Sequence, residues 1–130
     1  MYIEDFHGSE YCYNKEQLSI VMKKRNKQGY NEFWICINEE QTYPCIVVLV
    51  YKNIAYLHYF EEEGNSGWTS VADQINKSNE KGMTKFYTNN GTEEVMIENR
   101  AIVTVDKAVE TVVEFINTNK MPKCIEWEEL

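Results

Sequence analysis

Cys45-Ile-Val-Val-Leu-Val-Tyr51 runs seven residues without a polar side chain. That length suits a strand and falls far below the ~20 apolar residues that span a bilayer. A strand with one wet face alternates apolar and polar residues. The lack of alternation here predicts a strand covered on both faces. Two segments of similar character flank it. Phe33-Trp-Ile-Cys-Ile37 precedes it, with the turn-prone Tyr43-Pro44 between them. Ile54-Ala-Tyr-Leu-His-Tyr-Phe60 follows after only Lys52-Asn53, the spacing of a tight hairpin. His58 lies inside the third segment and reads as a hydrogen-bonded core or edge residue rather than a catalyst.

Helical periodicity appears twice. Asn14 has the character of an N-cap with Gln17 three positions on, and Leu18, Val21 and Met22 form a narrow apolar stripe. Gly29 suits a left-handed stop, and Lys23, Lys24, Arg25 and Lys27 would crowd the last turns, opposing the helix dipole. This predicts a helix over about 14–28. The second stripe is stronger: Val105, Ala108, Val109, Val112, Val113 and Ile116 recur at three- and four-residue spacing. Thr104 is its N-cap, Asp106 sits in its first turn, Asn119 is a left-handed cap and Pro122 blocks continuation, so the helix covers 105–118.

Residues 2–13 supply one or two aromatic-rich strands, and 84–88 and 94–97 are short strands around the turn Asn89-Asn90-Gly91. Residues 123–127 form a last strand with Ile125 and Trp127 on one face. Residues 61–82 are poor in apolar side chains, hold three consecutive glutamates, and contain Trp68; a short helix is expected around 70–76. Connections of this length usually have a job. The fold class is α+β: one domain over 1–130, a largely antiparallel sheet of about six to eight strands, and both helices on one face.

The formal net charge is −8, from 13 basic and 21 acidic residues. Residues 1–30 hold five basic and four acidic residues, and residues 31–130 hold eight and seventeen. Such a chain is repelled by nucleic acid and anionic lipid and attracted to a basic protein, or else the charge serves solubility alone. Cys12, Cys36, Cys45 and Cys124 are too scattered for a paired-ligand zinc site and read as reduced, small apolar residues. No phosphate-binding glycine loop, nucleophile elbow or Cys–His pairing is present, so no catalytic residue, metal or cofactor is expected. The N-terminus MYIEDFHGSE has no basic start and no apolar stretch, which predicts a cytoplasmic protein.

From residue 45 onward the chain resembles a known family. The quoted residues are Ile54-Ala-Tyr-Leu-His-Tyr-Phe60, Gly67-Trp68-Thr69-Ser70, Phe86-Tyr87, Glu93-Glu94-Val95, the helix over 105–118 and Pro122-Lys-Cys-Ile-Glu-Trp127-Glu. This succession resembles immunity protein family 1 of bacterial polymorphic toxin systems. In that family an amphipathic helix ends in Phe, then a Thr-Gly turn, a Pro, and a Trp at the end of an apolar stretch. Asn119 stands here in place of the glycine and tolerates the same backbone conformation. The resemblance implies an antidote that binds a cognate toxin domain, often a nucleic-acid deaminase or nuclease, and that is encoded beside it. It implies no catalytic residues, and Phe115 and Trp127 are read as core.

The partner surface is expected on loops and strand ends, where specificity is tuned at little structural cost. Glu61, Glu62, Glu63, Asn65 and Trp68 come first, Glu39, Glu40, Gln41 and Tyr43 second, and Glu93 and Glu94 third. The expected partner is a basic toxin domain, with no direct nucleic acid, no membrane, and a monomeric antidote. Two alternatives stand beside this: an acidic interaction module with no toxin, and a small enzyme using scattered carboxylates or His58.

Overall fold

In the computed structural model, which describes residues 1–72 and 81–130, the apolar run lies in the longest strand, β4 (Gln41–Tyr51). Before it come β1 (Tyr2–Asp5), β2 (Gly8–Tyr11), the helix α1 (Lys15–Val21) and β3 (Tyr30–Asn38). After it come β5 (Ile54–Phe60), β6 (Trp68–Ser70), β7 (Met83–Thr88), β8 (Glu93–Glu98), β9 (Ile102–Thr104), α2 (Val105–Thr118) and β10 (Trp127–Glu129). One antiparallel sheet has the order β10-β6-β5-β4-β3-β1-β2, with β9 sharing the free edge of β5 with β6. β7 and β8 form a separate hairpin.

The hairpin explains why β4 has no polar alternation. Ile46, Val48 and Val50 point into the cluster beneath the helices, with Phe33, Ile35, Leu57, Val112 and Phe115. Val47 and Leu49 point the other way and are covered by Phe86 of β7. The molecule is therefore layered as helices, sheet and hairpin. Each such fully buried Val, Leu or Phe is worth about 1.5–3 kcal/mol, and β4 spends its side chains on both layers.

α2 has the expected bounds and caps. Thr104 Oγ1 accepts from Lys107 N at 3.1 Å, and Asn119 adopts the left-handed conformation at φ 56°. Phe115 is fully buried. Trp127 packs against the same core, and its indole Nε1 donates to Pro122 O at 2.8 Å.

Three local expectations change. α1 stops at Val21 rather than extending over 14–28, and its last turn holds no basic residue. The Asn26 side chain accepts from Gln28 N and Tyr30 N, closing a turn there. Arg25 donates to Met22 O, Lys24 O and Lys52 O, so it serves the chain beyond the helix and staples it to the β4–β5 turn. The C-terminal strand is Trp127–Glu129 rather than 123–127, because the backbone N–H of Lys123 is taken by the Glu114 carboxylate on α2. Ser70 ends a strand instead of starting a helix, and most of the helix expected around 70–76 lies outside the described residues.

Candidate functional site

Antiparallel register sets which loops meet. Cys36 faces Cys45, Cys45 faces Phe60, and Asn38 faces Gln41. The β3–β4 turn and the β5–β6 connection therefore emerge at the same end of the sheet. This places Glu39, Glu40, Gln41 and Tyr43 beside Glu61, Glu62, Glu63 and Asn65. The three glutamates and Asn65 are exposed, as are Glu39, Glu40 and Gln41, while Tyr43 is half-buried.

Both loops are held at their bases by hydrogen bonds, and of their carboxylates only that of Glu39 takes part among the described residues. At the β3–β4 turn, Asn38 Oδ1 accepts from Glu40 N and Gln41 N, each at 2.9 Å. Gln41 Nε2 donates to Tyr43 O at 3.1 Å, and Tyr11 Oη donates to Glu39 Oε1 at 3.3 Å. In the β5–β6 connection, Asn65 Oδ1 accepts from Gly67 N at 2.7 Å. Gly67 has φ +83°, and a Cβ there would lie 2.6 Å from both His58 Nε2 and Tyr59 O. Only glycine fits that approach.

His58 completes the base. Its Nε2 lies 2.8 Å from Ser66 O, which can only accept, so the ring carries its proton on Nε2. Nδ1 is then the acceptor for Tyr56 Oη at 3.3 Å. The ring stacks on Phe60 at 4.0 Å and 12°. Burial pushes the imidazole pKa down, against the smaller upward pull of the Ser66 carbonyl. The neutral ring thus positions the loop, which agrees with its reading as a hydrogen-bonded core or edge residue.

Trp68 sits in β6 opposite Tyr59 and packs half-buried against the helix-side core. With Tyr59, Pro44, Met121 and Lys120 it lines a groove beneath Glu61, at the C-terminal end of α2. Among the described residues, Lys120 is the one cation lining that groove. Glu93 and Glu94 belong elsewhere. They start β8, whose turn lies near Glu32, Asn26 and Phe6: Asn89 N donates to Glu32 Oε1, and Gly91 approaches Asn26 and Phe6. β3 separates that end from the Glu39 turn, a span of roughly 26 Å at 3.3 Å per residue. The first two groups of candidates form one edge, and the third does not join them.

Among the described residues no group of three or more His, Cys, Asp or Glu side chains is placed to hold a metal ion. Cys12 lies in the helix-side core, and Cys45 is buried on β4, where burial pushes its thiol up to about 12. Sequence reasoning passed over Trp34. It belongs to a run read as covered on both faces, yet it is 40% exposed in the middle of the sheet. The available signal was Glu32, two residues earlier on the same face of β3, whose charge marks that face of the strand as only partly covered.

Residues 26–129 match the family model of immunity protein Imm1. No curated protein matches the chain.

Proposed function

Because the chain belongs to the immunity protein Imm1 family, its partner is a toxin, and we propose that it neutralises that toxin by covering it with the acidic edge formed by Glu61, Glu62, Glu63, Glu39 and Glu40. The observation that carries this reading is the convergence of two carboxylate-tipped loops on rigid bases at one end of the sheet. Preorganised loops lose little entropy on binding, so more of the contact energy appears as affinity. The target is a basic, nucleic-acid-acting domain such as a deaminase or nuclease. Its substrate groove must attract phosphates, and a fixed row of carboxylates competes for the same lysines and arginines. The inhibitor is a cytoplasmic monomer that performs no chemistry; His58 and the carboxylates hold structure and charge.

The test is co-expression with the toxin domain encoded beside it, with growth rescue and recovery of the purified complex. The wild type restores growth and co-purifies. The triple variant E61A/E62A/E63A associates more slowly and dissociates faster, and each fully desolvated pair broken costs ~2–5 kcal/mol. Unchanged affinity at low and high salt would remove this edge from the interface. Failure of the wild type to rescue or bind would remove the function itself.

A further inference from the structure

The hairpin β7–β8 covers only part of the outer sheet face. It seals Val47 and Leu49 and reaches Tyr51, Ile54 and Tyr56. The part carried by β1, β2 and the middle of β3 has no layer above it among the described residues. There Trp34 stands 40% exposed on an interior strand, directly opposite Glu4 on one side and Val47 on the other. Tyr2 and Tyr11 continue the surface, with ring centroids 5.1 Å apart. Trp34, Tyr2, Glu4 and Glu39 line a shared depression. Isolated exposed aromatics are ordinary, but a contiguous patch on a sheet face is an interaction signature.

Charge selects the occupant. Strands β1 to β5 contain no lysine or arginine at any position. Glu4 and Glu39 are exposed at this patch, and neither takes part in a salt bridge among the described residues. A second copy would place like charges face to face. A cationic protein surface meets both features, since arginine stacks on an indole face and pairs with carboxylates beside it. We infer that Trp34, framed by Glu4 and Glu39, is the apolar centre of the toxin-binding surface and receives an arginine- or lysine-bearing patch of the toxin. This rests on the antidote reading and extends it from the loop edge onto the sheet. Glu39, hydrogen-bonded to Tyr11, lies at the junction of the two.

The experiment measures binding of the toxin domain encoded beside this protein to the wild type, Trp34→Ala, and the double variant E4K/E39K. Trp34→Arg provides a second readout at the same position, keeping a long stem on the strand while reversing the attraction. Replacing Trp34 weakens binding at least about thirtyfold, the loss typical of a central aromatic anchor. The double variant slows association at low salt and less so at high salt. If Trp34 variants and E4K/E39K all bind within twofold of wild type while E61A/E62A/E63A is impaired, the sheet face is wrong and the antidote reading stands. If only Trp34 matters, the cationic occupant is wrong; if only the carboxylates matter, the apolar centre is wrong. A wild-type dimer that Trp34→Arg dissociates would assign the face to a second copy. A wild type that does not bind the toxin at all would overturn both readings.

Discussion

Gly64 and Gly67 provide a matched pair for testing how the β5–β6 connection is held. Both adopt left-handed backbone, at φ +81° and +83°. Among the described residues a Cβ at Gly64 meets nothing within 4 Å, whereas at Gly67 it would lie 2.6 Å from Tyr59 O and His58 Nε2. Gly64→Ala therefore costs only the dihedral strain, about 1–2 kcal/mol. Gly67→Ala carries the same strain plus an overpacking cost of about 1–3 kcal/mol, because Tyr59 O is backbone and cannot swing aside. It also displaces the His58 ring from Ser66 O, at about 0.5–1.5 kcal/mol for the lost hydrogen bond. The two variants should differ by about 2–4 kcal/mol. Urea denaturation at pH 7 reads this as a difference in midpoint at constant slope. At about 4 °C per kcal/mol for a chain of this size, thermal melts should separate by roughly 8–16 °C. Toxin affinity should fall in Gly67→Ala and stay near wild type in Gly64→Ala. Equal destabilisation of the two variants would show that close approach at Gly67 does not hold the loop.

Two further outcomes follow from the same geometry. Burial lowers the His58 pKa, so the folded state takes up a proton less readily than the unfolded chain. The stability this contributes is complete above the unfolded pKa of about 6.5 and is lost as pH falls through the folded value. Urea midpoints at pH 7, 6 and 5 should therefore decline more steeply in wild type than in His58→Gln, whose amide still donates to Ser66 O; parallel declines would place the proton uptake elsewhere. Phe86→Ala should cost about 3–5 kcal/mol, since the fully buried ring seals Val47 and Leu49 beneath the hairpin. A loss below 1 kcal/mol in equilibrium unfolding would mean the hairpin is not part of the cooperative core.

Legibility followed how much each segment's pattern was fixed by burial. The run Cys45–Tyr51 announced a doubly covered strand because both covers exist, the helices on Ile46 and Val48 and the hairpin on Val47 and Leu49. α2 was readable to the residue, since its stripe, its Thr104 cap and its Asn119 stop are all local. α1 was not. Its end depends on Arg25 reaching Lys52, 27 positions away, and on the Asn26 turn, and neither leaves a periodic trace. β6 is three residues long and owes its strand character to pairing with β5 and β10, not to composition. For the candidate site, charge and turn chemistry single out the Glu39 and Glu61 loops in the sequence, and register places them at the same end of the sheet. The same reasoning grouped Glu93 with them, because a sequence does not say which end of a second layer overlies which end of the sheet.

The arrangement separates what folds the chain from what it presents. Asn38, Asn65, Gly67 and His58 fix the loop bases through backbone contacts that do not involve the neighbouring glutamates' carboxylates. Glu61, Glu62, Glu63 and Glu40 can therefore change identity with effects on stability within the range of exposed positions, about 0.5 kcal/mol. Among the described residues, the Glu39 side chain is tied to the rest only by the Tyr11 hydroxyl. With this division, contact residues can be altered without risking the fold. Trp34 obeys the same logic: Phe33 and Ile35, its neighbours in sequence, are fully buried on the opposite face and hold β3 in place. The strand's alternation thus anchors one side and frees the other, and it is on the freed side that the indole meets solvent.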